Sequence, residues 1–227
     1  GLAIGAAVMR STHHSDVTAA IRDASVTAGS VEVFADSDLD IDRVDSTGVS
    51  VGTVAAVVNT STGQAFGTVS TEIDNAKIVA EGRARFDASY DIYLRTSTTG
   101  VSAGLGAIGA MHSFAEAGRA GVREAQVAFT GNASVKAEQL VVRARLDADV
   151  FGKTTAGGGG GLSVTGAITD IDENATADVH VASGTTLRAG GISIAAQAER
   201  FVDGAADAYS IAVASGSGAK LRLDAHG

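Results

Sequence analysis

The chain has 227 residues, a formal net charge of −9, and neither proline nor cysteine. An acidic balance disfavours binding to nucleic acid and to anionic membrane surfaces, so we expect no nucleic-acid partner. There is no uninterrupted stretch of about 18 apolar residues, so we expect no membrane insertion in this segment. A hydrophobic content of 45% argues against intrinsic disorder. The absence of proline suits a backbone that is hydrogen-bonded from strand to strand.

One strand pattern recurs four times along the chain. Each copy begins with a turn residue, followed by apolar or small residues spaced two, three, two and two apart, and the copies occupy residues 23–35, 75–88, 132–144 and 184–196. The second copy has one extra residue in its middle. Side chains alternate between the two faces of a strand, so this spacing predicts one inward face per copy. The predicted inward residues are Val26, Ala28, Val31, Val33 and Ala35; Ile78, Ala80, Ala84, Phe86 and Ala88; Val135, Ala137, Leu140, Val142 and Ala144; and Leu187, Ala189, Ile192, Ile194 and Ala196.

The step of three and the leading turn residue both predict corners in the chain. A strand cannot skip a position without a bend or bulge, so the chain should turn between Ala28 and Val31. Residues that tolerate left-handed backbone precede each copy. These turn residues are Asp23, Asn75, Asn132 and Gly184.

Two further strand patterns recur with a similar spacing. A glycine-led strand with serine at a fixed place follows each copy, at 48–52, 100–104, 161–165 and 208–212, and residues 1–5 read as an earlier copy of it. A looser strand precedes each unit at 17–21, 69–73, 126–129 and 178–181. We therefore expect the chain to begin and end inside repeats, as a segment of a longer or polymerised chain would. The repeated serines are Ser50, Ser102, Ser163 and Ser210.

Strands repeating every 52, 57 and 52 residues predict an all-β fold, a β-solenoid of roughly 50-residue repeats. We expect one continuous segment over residues 1–227, with a partial repeat at 1–16 and repeats at about 17–68, 69–121, 122–177 and 178–227. Two coils per repeat would give about nine coils and a rod of about 40 Å at ~4.8 Å per coil. The alternatives are a β-sandwich of repeated hairpins and a single irregular coil per repeat.

Repeats such as DASVTAGSVEVFA (23–35) alternating with strands such as GVSVG (48–52) resemble those of very large bacterial filamentous adhesins. These are the filamentous-haemagglutinin and leukotoxin-type surface proteins, and autotransporter passengers more loosely. The resemblance covers essentially all of the chain. It implies a right-handed parallel β-helix, secretion to the cell surface, and a role in adhesion or in an extracellular filament. Partners would be further copies of the chain, a host or neighbouring-cell surface, or polysaccharide.

Two acidic stretches are the candidates for ion binding. Asp36, Asp38, Asp40 and Asp42 occupy alternate positions, so we expect one acidic, solvated face that discourages edge pairing. Calcium binding is the alternative, although alternate residues lie ~6.6–7 Å apart, too far for all four carboxylates to share one ion. The second stretch contains Asp170, Asp172 and Glu173, for which a polar loop and calcium binding are the two interpretations.

Enzymatic activity is not expected. A polysaccharide lyase or hydrolase would need carboxylates, or a base with Lys or Arg, on adjacent coils. The candidates are Asp170, Asp172 and Arg143, and nothing in the sequence brings them together. The serines repeat without a His or Asp partner, which favours a structural role. We therefore assign no catalytic, cofactor-binding or metal-binding residue. A carbohydrate-active or carbohydrate-binding β-helix is the alternative function, and its aromatic candidates are Tyr90, Tyr93 and Tyr209.

Overall fold

The computed structural model describes residues 1–226, which form an all-β fold with a parallel sheet that does not close on itself. This confirms the predicted fold class. Several strands run through the corners of the fold without interruption, and the longest have 40 residues. The strands are β1 Leu2–Arg22, β2 Ser25–Ala28, β3 Val31–Val51, β4 Val54–Asp74, β5 Lys77–Ala80, β6 Arg83–Ala117, β7 Ala125–Thr130, β8 Ser134–Glu173, β9 Ala177–Val181 and β10 Thr186–Ala225.

The chain advances by one coil for each sequence repeat. Val26 pairs with Ile78, Ile78 with Val135, and Val135 with Leu187, so the steps of 52, 57 and 52 residues are the register of the stack. The expectation of two coils per repeat is wrong, and the alternative of a single coil per repeat is correct. The chain makes between four and five coils, a rise of only ~20 Å at ~4.8 Å per coil.

Each coil is flattened. In the first coil, the outgoing segment β1 faces the return segment β3, and hydroxyls cross between them: Ser50 Oγ donates to Ala3 O at 3.0 Å, and Ser46 Oγ donates to Ala7 O at 3.2 Å. The short strand β2 joins the two segments at one end, which we call the broad end. The turn at Gly52–Thr53 joins β3 to β4 at the other, which we call the narrow end. The outgoing segments of successive coils stack in parallel, as do the return segments.

The corners at the broad end lie where the sequence predicts them. Strand β2 ends at Ala28 and β3 begins at Val31, so the step of three marks a bend. Left-handed backbone occurs at Asp23 (φ 50°), Asn75 (φ 47°) and Gly184 (φ 90°). In the third copy it occurs at Gly131 (φ 60°) and not at Asn132, because this corner contains one additional residue.

Apolar side chains fill the interior near the broad end. The predicted inward residues of the second and third copies are buried, and the rings of Phe86 and Phe129 meet edge to face with centroids 5.4 Å apart. The extra residue of the second copy is real, since Val31 pairs with Ala84 and Val33 with Phe86. A register shift between Ile41 and Val44 then restores the 52-residue step.

The proposed alignment of the glycine-led strands is correct for Ser50 with Ser102 and wrong for the copies at Ser163 and at residues 1–5. Ser50 pairs with Ser102 as predicted, but Ser102 pairs with Gly158, and Ser210 pairs with Gly158 from the other side. Ser163 lies beyond the return segment that contains Gly158, at the start of the following outgoing segment, where it pairs with Ala107. Residues 1–5 also belong to an outgoing segment, so Ala3 faces Ser50 across the interior and does not take its position. The third coil has glycines at 157–161, so Gly158 stands where the other coils have serine, and the motif with Ser163 was aligned there instead. No helix capable of crossing a membrane is found in residues 1–226.

Candidate functional site

The acidic run lies on the outer face of β3, as predicted. Asp36, Asp38, Asp40 and Asp42 are exposed, whereas Leu39 is buried between them. Stacking adds a feature that the sequence did not suggest, because Asp38 pairs with Asp91, Asp91 with Asp147, and Asp147 with Glu199. We call these four residues the carboxylate column. Within residues 1–226, no group of three or more His, Cys, Asp or Glu side chains is arranged to hold a metal ion.

The carboxylate column is electrostatically unfavourable at its centre. Burial raises the pKa of Asp91, and the carboxylates of Asp147, Asp36 and Asp38 raise it further, against the opposing effect of Arg145. Burial, together with Asp147, also raises the pKa of Asp149. Like charges placed directly opposite one another on neighbouring strands are destabilising. The column therefore weakens the stack locally at neutral pH.

The second acidic stretch does not form one site. Asp170 Oδ2 lies 3.0 Å from His112 Nε2 on the outer face, and Asp172 accepts a hydrogen bond from Asn174 Nδ2 at 2.9 Å. Glu173 alternates to the inside and is fully buried, where it accepts the N–H of Ala175 at 2.8 Å and pairs with Arg200 Nε at 2.8 Å. Strand alternation thus separates Glu173 from the other two carboxylates.

The residues considered for catalysis lie apart. Asp170 and Asp172 are on the outer face of an outgoing segment, whereas Arg143 is on the outer face of a return segment, on the opposite side of the flattened coil. Ser102 and Ser163 are fully buried, and His112 is partly exposed on the outer face. The hydroxyls of these serines therefore point into the interior, whereas the His112 ring lies outside. The inward Thr98 Oγ1 donates a hydrogen bond to the backbone carbonyl of His112 at 2.9 Å and not to its ring.

A four-residue insertion forms a corner loop in the third coil. Residues 118–124 stand where the preceding coil has only residues 66–68, as the flanking pairs show. Glu124 is buried beneath this loop and accepts the N–H groups of Arg119 and Thr176, both at 2.8 Å. Burial raises the pKa of Glu124, while these hydrogen bonds lower it. The Glu124 carboxylate therefore accepts hydrogen bonds from backbone N–H groups that have no strand partner at this corner.

Aromatic side chains form a short ladder on the outer face of the return segments. Tyr93 and Phe151 have ring centroids 5.4 Å apart, and Phe151 and Phe201 are 5.5 Å apart. Asp149 pairs with both Tyr93 and Phe201, and Asp203 pairs with Phe151, so carboxylates flank the rings. Of the tyrosines considered from the sequence, Tyr90 is fully buried and Tyr209 is half-exposed, and neither belongs to this ladder.

The narrow end combines a mixed interior with an apolar outer surface. Inside, Val57, Met111, Ala156 and Ala167 form a small apolar cluster. Hydroxyl groups also bond to one another there: Ser61 and Thr98 are 2.6 Å apart, and Thr154 and Thr169 are 2.7 Å apart. Its outer surface is apolar. Ile4 is 73% exposed, Leu162 63% and Val164 61%. Contiguous exposed apolar residues make this surface a candidate for interaction.

Stacking makes this surface continuous from the first coil to the last. We use the name apolar face for the outward residues at the start of every outgoing segment. They form three columns that are free of charge: Leu2, Val54, Gly106, Leu162 and Ala214; Ile4, Ala56, Ile108, Val164 and Gly216; and Ala6, Val58, Ala110, Gly166 and Gly218.

The sequence contains a signal for the apolar face that period-two reasoning missed. No Asp, Glu, Lys or Arg occurs at residues 1–9, 46–71, 96–115, 154–169 or 208–219. These segments stack on one another around the narrow end, so charged side chains are confined to the rest of the coil. The recurrence of charge-free segments with the period of the fold was the available signal.

Comparison with protein-family models, curated proteins and solved structures finds no match for this chain.

Proposed function

We propose that this chain is a structural and adhesive segment of an extracellular or cell-surface filament, acting through stacked β-coils and self-association. The observation that carries the proposal is the parallel stacking that continues through every described coil, from the pairing of Leu2 with Val54 to that of Ala225 with Glu173. Each coil templates the next, so such a stack grows by repetition. Extracellular placement and adhesion rest on the resemblance of the repeats to filamentous adhesins.

The two ends of the stack supply the surfaces for growth. Strands β1 and β3 pair only with the second coil, and most of β10 pairs only with β8, which leaves one edge of each without a strand partner in residues 1–226. Unpaired backbone N–H and C=O groups at a sheet edge recruit another strand. In a filament, the next coil would come from the same polypeptide or from another copy.

Electron microscopy of the purified protein tests this proposal. We expect filaments whose power spectrum has an axial reflection near 4.8 Å, the spacing of stacked strands. Discrete particles without this reflection at every protein concentration would contradict axial assembly.

A charged residue that points inward on the end coil should block growth without unfolding the stack, since natural sheets use this device to protect their edges. Val33 is inward and half-buried on β3, so Val33→Lys should abolish filaments. Thr47→Lys adds the same charge to the exposed face of the same strand and is the matched control. Both variants should retain the circular dichroism spectrum of the parent protein.

Polysaccharide binding is the second candidate function, and the aromatic ladder favours it. Rings that reach the surface beside carboxylates offer stacking surfaces and hydroxyl acceptors for sugars. The partly exposed Tyr93 and Phe151 and the exposed Phe201, with Asp149 and Asp203, provide both. Binding to a polysaccharide array should be lost in Phe201→Ala, whose ring is 54% exposed. Phe34→Ala removes a ring of similar exposure outside the ladder and should leave binding unchanged.

A further inference from the structure

We propose that the apolar face is a lateral docking surface for a second copy of this chain. The inference extends the proposed self-association to a different surface, because axial growth uses the coil ends and lateral pairing uses the side of the stack. In ordinary half-exposed sheets, apolar residues face the core and polar residues face water. At the narrow end apolar residues face outward as well as inward, so the outward ones remain exposed in the isolated stack.

The absence of charge on this face suits a self-complementary contact. A second copy of the same face brings no like charges together, whereas the net charge of −9 resides on the remaining parts of each coil, which would point away from the contact. His112 and Lys220 lie at the border of the face, in the column next to Ala110 and Gly218.

The relief of the apolar face is also self-complementary. The column containing Ile4, Ile108 and Val164 forms a ridge, with Ile108 56% exposed. The neighbouring column contains Ala110 and Gly166 and borders a groove with a volume of about 440 Å³. A two-fold axis parallel to the stack would place the ridge of each copy over the groove of the other, which is an isologous contact.

The size of the contact predicts weak pairing of single segments. Outward positions 2 to 6 of a coil span ~14 Å along the strand, and four coil-to-coil steps span ~19 Å, so the three charge-free columns cover at least ~270 Å² per copy. A standard interface covers about 800 Å² per partner. Pairing of isolated segments should therefore be reversible and weak, and it should strengthen along a continuous filament, where many such contacts act together.

Gly166→Lys is the sharpest variant for a test. A Cβ at Gly166 would meet no atom within 4 Å, so the substitution fills the groove without disturbing the fold. Gly191→Lys is the matched control, since a Cβ there also meets nothing within 4 Å and the residue pairs with Gln139, outside the apolar face. Equal melting temperatures for the three proteins would establish that both variants are folded.

Analytical ultracentrifugation then measures lateral association from micromolar to millimolar concentration, with every protein carrying Val33→Lys so that axial filaments cannot form. We expect the Val33→Lys protein and its Gly191→Lys derivative to form a reversible dimer, and the Gly166→Lys derivative to associate at least about tenfold more weakly. A Val33→Lys protein that stays monomeric at millimolar concentration, or a Gly166→Lys derivative that dimerises equally well, would overturn the proposal. Vesicles of neutral phosphatidylcholine that bind a monomeric Val33→Lys protein, but not its Gly166→Lys derivative, would also overturn it and assign the face to lipid.

Disulfide cross-linking tests which columns of the two copies face each other, and a comparison of two variants separates lateral pairing from axial assembly. The chain has no cysteine, so oxidised mixtures of Ile108→Cys and Ala110→Cys proteins should form mainly mixed disulfide dimers if the ridge of one copy faces the groove of the other. Random dimers would contradict this geometry. Val33→Lys should block axial filaments but not the lateral dimer, whereas Gly166→Lys should have the opposite effect, so either proposal can fail without the other.

Discussion

Asp91 lies directly beside Asp147 of the next coil and beside Asp38 of the preceding one. A buried oxygen of Asp91, Oδ1, has no hydrogen-bond partner, although Arg145 is close enough to oppose the rise in its pKa. Like charges in register on adjacent strands repel, and burial increases the cost of the charged form. The carboxylate column is therefore a place where the stack can be strengthened.

Asp91→Asn should stabilise the protein by about 1 kcal/mol at pH 7, because it removes the central charge of the column. The pKa of Asp91 is raised in the folded state, so the folded protein takes up this proton before the unfolded chain does as the pH falls. The advantage of the variant should consequently shrink as the pH falls through that raised pKa toward 4. Urea denaturation at pH 7 and pH 4 measures both effects.

Asp42→Asn is the control for this prediction. Asp42 lies in the register shift between Ile41 and Val44 and has no paired residue in the next coil. Its substitution should change the free energy of unfolding by less than about 0.5 kcal/mol. An Asp91→Asn protein no more stable than the Asp42→Asn protein would show that repulsion within the carboxylate column does not lower the free energy of unfolding.

The register of the fold was readable from the sequence because turn residues and inward residues recur together. Val26, Ile78, Val135 and Leu187 were identified as equivalent, and the structure stacks them. Alternation tells which face a residue occupies, but not which strand lies beside it, so the number of coils per repeat could not be derived. The same limitation explains Ser163, whose motif resembles the glycine-led strand although its neighbour is Ala107.

The candidate surfaces were less predictable than the fold. The exposed face of Asp36 and Asp38 followed from period two, but the column from Asp38 to Glu199 required the pairing of distant segments. The apolar face was missed for a different reason. Period-two reasoning assigns one apolar face to the interior, but at the narrow end both faces of the outgoing segments carry apolar residues, so Ile4 and Val164 are exposed while Val57 and Met111 are buried.

Val142→Asp should unfold the stack and prevent assembly. Val142 is fully buried between Phe86 and Ile194 of the neighbouring coils, so the variant would bury a charge with no partner, at a cost of about 4 kcal/mol or more. Asp38→Ser changes an exposed residue on the outer face of a return segment and should be nearly silent in assembly. Circular dichroism and electron microscopy compare the two, and equal assembly by both would contradict the register.

Tyr90→Phe should reverse its effect on stability between neutral and alkaline pH. The Tyr90 hydroxyl is buried and donates to Phe66 O at 3.1 Å, so its loss should cost about 1 kcal/mol at pH 7. Burial raises the pKa of Tyr90 to about 12 from 10.0. The neutral phenol therefore stabilises the wild-type fold below pH 10, and this contribution falls by about 2 kcal/mol as the pH rises from 10 to 12.

Urea denaturation of both proteins at pH 7, 10 and 12 tests this reversal. We expect the wild-type protein to be the more stable at pH 7 and the Tyr90→Phe protein at pH 12. A difference in the free energy of unfolding that stays constant over this range would show that the Tyr90 phenol ionises as readily in the folded protein as in the unfolded chain.

Gly160→Ala should damage the narrow end, where the return segment of the third coil turns into the next outgoing segment. Gly160 has φ 133°, a conformation that side chains rarely adopt, and a Cβ at this position would overlap the carbonyl oxygen of its stacking partner Gly104. The obstacle is backbone of the adjacent coil, which cannot move without breaking the ladder. We expect a loss of more than about 2 kcal/mol in the free energy of unfolding.

Gly166→Ala separates this steric effect from the general effect of replacing a glycine. Gly166 lies a few residues further along the same strand, has no neighbour within 4 Å of a Cβ, and should gain slightly in stability from the substitution. Urea denaturation of the two variants, with hydrogen exchange at the amides around Gly104, should show loss of protection only in Gly160→Ala. If the two variants unfold at the same urea concentration, the close approach of the coils at Gly160 and Gly104 is not a constraint on the fold.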